Sequence, residues 1–289
     1  MTGADDELPR VSLPTAFRAP PPPRLWTLGL GFGLYLATVL GGTGVTLSLY
    51  AAARYGRDAL SPAVFERVSH DLGGILLAGL VSSLAGVGVA LGAATLSAES
   101  LTDRLRLGPG RRGVFVGAAL TVALLGMGAA STSIARLLDV HHRGALPVIR
   151  AALRDPPPSM LALAVAIIGL GAGAGEELLF RGYLLTRLAE RWRPWVANAL
   201  VALLFAAMHL DPVHSSFAMV VGLALGWASL RARSVRPTIA AHVVNNTLSV
   251  LGASMDGADE RLPVLPLLAG GSLAALCALA LVWAITREE

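Results

Sequence analysis

Residues 171–181 read Gly-Ala-Gly-Ala-Gly-Glu-Glu-Leu-Leu-Phe-Arg, inside an apolar run that begins near Met160. A charged side chain at the centre of a bilayer costs about 3 kcal/mol even on the mildest insertion scale, so an ionisable group at depth points to function. Glu176 and Glu177 are the two acidic residues well inside such a run; Asp71 and Asp211 sit at run boundaries.

The surrounding composition sets the class. Of 289 residues, 54% are hydrophobic and 15% charged, and the mean hydropathy is +0.64. A soluble domain carries about 25% charged residues. Apolar runs lie at about 26–53, 72–96, 113–135, 160–185, 195–210, 215–230, 237–254 and 262–286. Since about 20 apolar residues cross a bilayer, these runs predict an all-α, polytopic transmembrane bundle of about eight helices. The fifth and sixth runs are short, and Asp211-Pro212 between them favours a break.

The chain divides into a Pro-rich tail (1–25), an N-terminal set of transmembrane helices with their loops (26–158), a helical core holding the buried polar residues (159–255) and a C-terminal transmembrane segment (256–289). The tail, with Asp5, Asp6, Glu7 and Pro20 to Pro23, reads as disordered. It lacks the basic start and early apolar core of a signal peptide, so the first run is expected to stay as an anchor. All 23 basic residues are arginine. Fourteen lie in the tails and the loops after runs two, four and six, against eight in the other loops. That bias predicts an integral, multi-pass protein of the cell's inner (plasma) membrane with both termini cytoplasmic. It also accounts for the net charge of +4 without a nucleic-acid partner; membrane lipid is the expected surrounding. Cys277, the single cysteine, lies in an apolar run, so neither a disulfide framework nor a cysteine metal site can form.

Two local patterns carry structural expectations. Leu101–Arg112, arginine-rich with leucines between, predicts an interfacial helix on the cytoplasmic side. The glycine runs 29–33 and 171–175 predict close helix packing; no strand precedes either and no lysine follows, so neither is a phosphate loop.

Of six histidines, His209 and His242 fall within runs, His214 near a boundary, and His70, His141 and His142 in loops. Glu177 and Arg181 are four apart, acid first, which suits an ion pair on one helix face. Glu176 is about 100° further around the helix and stays available as a general base for water. The competing reading is that both glutamates pair with arginines and only hold helices together. Phe205 and His209 share a face, as do His242 and Asn246. A lone helical histidine is usually a packing residue, but two of them with an asparagine and an unpaired glutamate suggest a site. Imidazole and amide can donate to an oxyanion, and imidazole can ligate a metal. Asn245 sits off the His242 face; Asn198, seven residues before Phe205, is at most a supporting residue. His214, Trp195 and Trp227 read as interfacial anchors.

The set E-E-x-x-x-R (Glu176, Glu177, Arg181), F-x-x-x-H (Phe205, His209) and H-x-x-x-N (His242, Asn246) resembles the CPBP family, the CAAX prenyl protease type II and Abi-like intramembrane endopeptidases. The three motifs match in order and spacing over about residues 160–255, so the resemblance implies a CPBP-type core there. The resemblance implies an intramembrane endopeptidase acting on a membrane-associated protein or peptide, with Glu176, His209, His242 and Asn246 lining a cavity open to the cytoplasm. It leaves the chemistry open between a bound metal and a glutamate-activated water. Under the second, Glu176 and His209 hold the water, His242 and Asn246 stabilise the oxyanion, and Glu177–Arg181 fixes the helix. Under the first, His209, His242 and one carboxylate ligate a metal, with zinc as the candidate, although no H-E-x-x-H helix is present. A transporter, or an immunity or scaffold protein using the same cluster for ion or partner contacts, is the alternative class.

Depth arithmetic strains this picture. At 1.5 Å per residue, Glu176 lies roughly 16 Å from its helix end near Arg187, His209 roughly 21 Å from the start of the fifth helix, and His242 about 7 Å from Pro237. These levels coincide only if the seventh helix begins inside the bundle, in a water-filled funnel.

Overall fold

The computed structural model describes residues 26–255 and 263–287; the Pro-rich tail lies outside them. Every described element is helical: α1 (Trp26–Tyr55), α2 (Pro62–His70), α3 (Leu72–Thr95), α4 (Leu101–Arg104), α5 (Gly113–Leu137), α6 (Ala145–Leu153), α7 (Pro158–Ala189), α8 (Pro194–Ala207), α9 (Pro212–Ala232), α10 (Arg236–Ser254) and α11 (Val264–Ile285). Each of the eight apolar runs is one of these helices. Six of them, α1, α3, α5, α7, α9 and α11, are long and apolar enough to cross a membrane. The protein is a polytopic helical bundle. Leu30 and Leu34, one turn apart on α1, are 63% and 56% exposed; apolar side chains bare at this density fit hydrocarbon rather than water.

The departures from expectation are local. α8 has 14 residues, about 21 Å of helix, so it ends inside the bundle and forms a hairpin with α9. The interfacial helix expected over Leu101–Arg112 is one turn, α4. Arg106 and Arg112 take positive φ, and Gly108-Pro109-Gly110 offers no continuous i→i−4 ladder. The segment instead packs inward. Arg104 is buried between Glu99 (3.0 Å) and Glu190 (2.9 Å), and Leu105 is fully buried. Val235 N–H donates to the Arg106 carbonyl (3.0 Å), Arg111 N–H to that of Ala232 (2.8 Å), and the Ser234 hydroxyl to that of Gly108 (2.6 Å). Two short helices that the apolar runs did not reveal, α2 and α6, fill the loops at the opposite end.

α7 runs through the centre, flanked by α3 and α10, and is not uniformly α-helical. Val165–Ala172 and Leu178–Leu185 are π-helical, with Gly173–Glu177 α-helical between them. Wide π turns in a helix are frequent at functional sites. The glycines of 171–175 alternate in what they meet. A Cβ on Gly175 would lie 2.8 Å from the Ser83 carbonyl oxygen of α3, and one on Gly173 3.0 Å from the Val243 backbone of α10. These small residues let three backbones meet beside Glu176. The 29–33 run behaves differently: Gly29 and Gly33 face open space, and only Gly31 touches a neighbour, Tyr183.

Candidate active site

The buried half of the site is built on α7. Arg181 Nη1 donates to Glu177 Oε1 at 2.6 Å, and both side chains are 0% exposed. Ion-pair burial of this kind survives only when further partners satisfy the charges. Arg181 Nη2 donates to the Gly222 carbonyl of α9 (3.1 Å), and its guanidinium lies 4.5 Å from the Phe205 ring centroid, a cation–π contact. Gly222 permits this approach, since a Cβ there would meet Ala202 and Phe205 at 3.2 Å.

Phe205 is the hub. It is buried, and its ring meets Phe180 (5.2 Å), His209 (5.1 Å) and His242 (6.1 Å) edge to face. The two histidines flanking one aromatic ring therefore come to one level. The start of α10 is covered rather than set in a water-filled funnel among the described residues, although Arg236 itself is exposed. Ser234, Val235 and Thr238 are 0% exposed beneath the 105–112 segment.

His242 bonds the glutamate that spacing had assigned to Arg181 alone. Its Nδ1 lies 3.0 Å from Glu177 Oε1, while its Nε2 lies 3.8 Å from Glu176 Oε2. A carboxylate held by an arginine can only accept, so Nδ1 carries the proton and Nε2 faces Glu176. His209 is fixed in the same way: Nδ1 is 2.9 Å from the Phe205 carbonyl, an obligate acceptor, so its Nε2 is the free atom. Glu176, 21% exposed at its side chain, has no hydrogen bond among the described residues.

The structure thus brings together Glu176, Glu177, Arg181, Phe205, His209 and His242. Asn246 lies one turn beyond His242, where its Nδ2 donates to the Ile168 carbonyl (3.4 Å) and its Oδ1 accepts from Asn245 (3.3 Å). Asn198 does not join the cluster: it ties α8 to the Leu223 carbonyl of α9 (3.0 Å).

His214 adds a neighbour that spacing did not assign to the cluster: its ring centroid is 4.1 Å from that of His209, so it flanks the cluster. The signal was a third histidine five residues past His209, across a helix break. Asp211 holds this corner. Its carboxylate accepts from His214 N–H (2.6 Å), capping α9, and from Ala145 N–H at the start of α6 (2.7 Å). These bonds, the His214 amide first, hold the Asp211 carboxyl below the usual carboxylate range.

The metal version needs three ligand atoms close together. Glu176, His209 and His242 do not form a group whose ligand atoms all lie within 4.8 Å of one another, so this arrangement is no preformed ligand set.

Residues 158–248 match the family model described as "Type II CAAX prenyl endopeptidase Rce1-like". The match bears out the resemblance read from the three motifs: this segment carries the CPBP, or CAAX protease, family core. The matched segment is similar to CAAX-type prenyl endopeptidases, a class of membrane proteases, and the chain is an integral, multi-pass membrane protein. Residues before 158 and after 248 fall outside the match. No curated protein and no solved structure matches the chain.

Proposed function

We propose that the protein is an intramembrane endopeptidase that hydrolyses a peptide bond of a membrane-associated protein or peptide with a water activated by Glu176. The observation that carries this reading is the division of labour around His242: Glu177, neutralised by Arg181, holds Nδ1, which leaves Nε2 beside Glu176. Glu176 takes a proton from water as the oxygen attacks the peptide carbonyl. His209 Nε2 accepts a hydrogen bond from the same water and orients it. The tetrahedral oxyanion is stabilised by Asn246, once its amide leaves the long bond to Ile168, and by His242 as the doubly protonated imidazolium, which keeps its Nδ1 proton on Glu177 and donates from Nε2. Glu176 then returns its proton to the departing amine. A zinc ion on His209 and His242 would supply a more acidic water instead; loss of cleavage in a strong chelator and its return with Zn²⁺ would replace the glutamate-only reading.

The test is Glu176→Gln, assayed on a membrane-tethered peptide. The variant should fold and lose cleavage; persisting cleavage by the folded variant would sink the proposal.

The termini are proposed to be cytoplasmic. The cluster is sealed beneath the arginine-rich loops, while His209, His214 and the exposed Leu210 (74%) approach the opposite end. With cytoplasmic termini that end faces away from the cytoplasm, against the orientation the resemblance implies. In a Cys277→Ser background, Leu210→Cys should react with an impermeant thiol reagent added outside intact cells. Protection there, with labelling only after permeabilisation, would invert the topology.

A further inference from the structure

The turn after α5 gathers three ligand-type side chains that the proposed reaction does not use. Asp139, His141 and His142 place one ligand atom each within 4.8 Å of one another. His142 Nδ1 lies 3.6 Å and His141 Nδ1 3.9 Å from the same oxygen, Asp139 Oδ1. Neither distance makes a hydrogen bond, so two imidazole nitrogens face one carboxylate oxygen across a gap. A tetrahedral zinc with ligands at about 2.0–2.2 Å holds its donor atoms roughly 3.4 Å apart. The two histidine–aspartate separations exceed that by a few tenths of an ångström, and all three atoms lie within 4.8 Å of one another, within reach of small side-chain rotations at exposed residues.

The backbone beneath the three side chains is pinned. Asp139 ends α5 in the left-handed conformation (φ 54°); Val140 N–H donates to the Ala135 carbonyl (2.9 Å) and Arg143 N–H to that of Val140 (3.0 Å). At the far side of the turn, Ala145 N–H is held by Asp211.

We propose that Asp139, His141 and His142 form a surface site for a divalent transition-metal ion, with zinc as the best-matched member of that class. Two imidazoles and one carboxylate are a nitrogen-rich set that suits zinc, copper or nickel. Magnesium and calcium prefer six or more oxygen ligands, which this turn does not offer. Three ligands leave a fourth position for water or a partner's side chain. The ion would sit outside the helical core, separate from His209 and His242, and the assignment stands whether or not the chain cleaves peptides.

The test is Zn²⁺ titration of the full chain, free of any histidine tag, in detergent, followed by calorimetry, with Co²⁺ absorption as the readout of geometry. A single saturable Zn²⁺ per chain is expected, together with the visible bands of tetrahedral Co²⁺. Binding should be lost in His141→Ala/His142→Ala and weakened in Asp139→Asn, yet kept in His209→Ala and in Glu176→Gln. Binding that survives the double substitution, or that disappears with His209→Ala, overturns the assignment. So does the absence of saturable binding by the folded chain.

Discussion

Glu176 and Glu177 are neighbours in the chain and opposites in the fold. Glu177 belongs to a sealed region with Arg181, Phe205 and the Gly222 carbonyl, where both charges are 0% exposed. Glu176 belongs to a half-open region with His209, His214 and the outer face of His242. One step of about 100° around a helix separates a carboxylate used as structure from one left for chemistry. Where a charge is satisfied by protein partners, its removal should cost folding; where it is not, its removal should cost reaction alone.

The largest expected effect is on the half-open side. Glu176→Gln keeps shape and volume and removes the proposed base, so cleavage of a membrane-tethered peptide should fall by about 10²–10⁴-fold. The unfolding midpoint in detergent should barely move, because no hydrogen bond is broken. A large loss of stability would put Glu176 in the sealed region and end the contrast.

The sealed side should behave in reverse. Arg181→Met leaves Glu177 charged in a buried place, and breaking such a pair costs about 3–5 kcal/mol. Glu177→Gln, which unpairs Arg181 and His242 together, should cost a similar amount. The double variant removes both charges and should be less unstable than the two single effects added together. Its cleavage should stay low, because His242 Nδ1 has lost its carboxylate. Denaturant or thermal unfolding of the four proteins completes the cycle; strict additivity would mean the pair is not coupled.

Much of this contrast was legible in the sequence. The eight long helices could be read because an apolar run of bilayer length has few other outcomes. The Glu177–Arg181 pair was legible because partners four apart on a helix must be neighbours. The bond between Glu177 and His242 was not, since they lie 65 residues apart and periodicity gives the faces of helices without saying which faces meet. The contact of His214 with His209 was hidden for the same reason: the break at Leu210–Pro212 turns α9 back on α8, and no spacing rule crosses such a break. The short helices α2 and α6, of nine residues each, are too brief for a periodic pattern to stand out. The Leu101–Arg112 segment misled through its arginines, which read as a membrane surface while Arg104 is paired with two glutamates.

Glycine positions give a smaller, signed contrast between the crowded core and the rim. Gly175→Ala would drive a methyl group to 2.8 Å from the Ser83 carbonyl oxygen, and overpacking of that kind costs about 1–3 kcal/mol. The displaced backbone carries Glu176, so cleavage should fall as well. Gly33→Ala meets nothing within 4 Å and sits mid-helix, where alanine is favoured by about 0.5–1 kcal/mol. Opposite signs in the two unfolding midpoints would support the packing role of 171–175; equal signs would refute it.

The last effect concerns the rim itself. Asp211 caps α9 and holds the start of α6 with one carboxylate, and those amide bonds depress its pKa in the folded state. A depressed folded-state pKa means the stabilisation is complete above the unfolded value, about pH 4. It is lost as pH falls through the lower folded value. Asp211→Asn keeps one carbonyl oxygen to cap the helix but sets an NH2 group against one of the two N–H donors, so it removes the charge and one accepted hydrogen bond. Its cost should therefore be about 1–3 kcal/mol near neutral pH and should shrink as the medium is acidified below about pH 4 and Asp211 itself loses its charge. A gap between the two proteins that is constant across that range, or that widens in acid, would show that the Asp211 charge does not hold the corner beside His214.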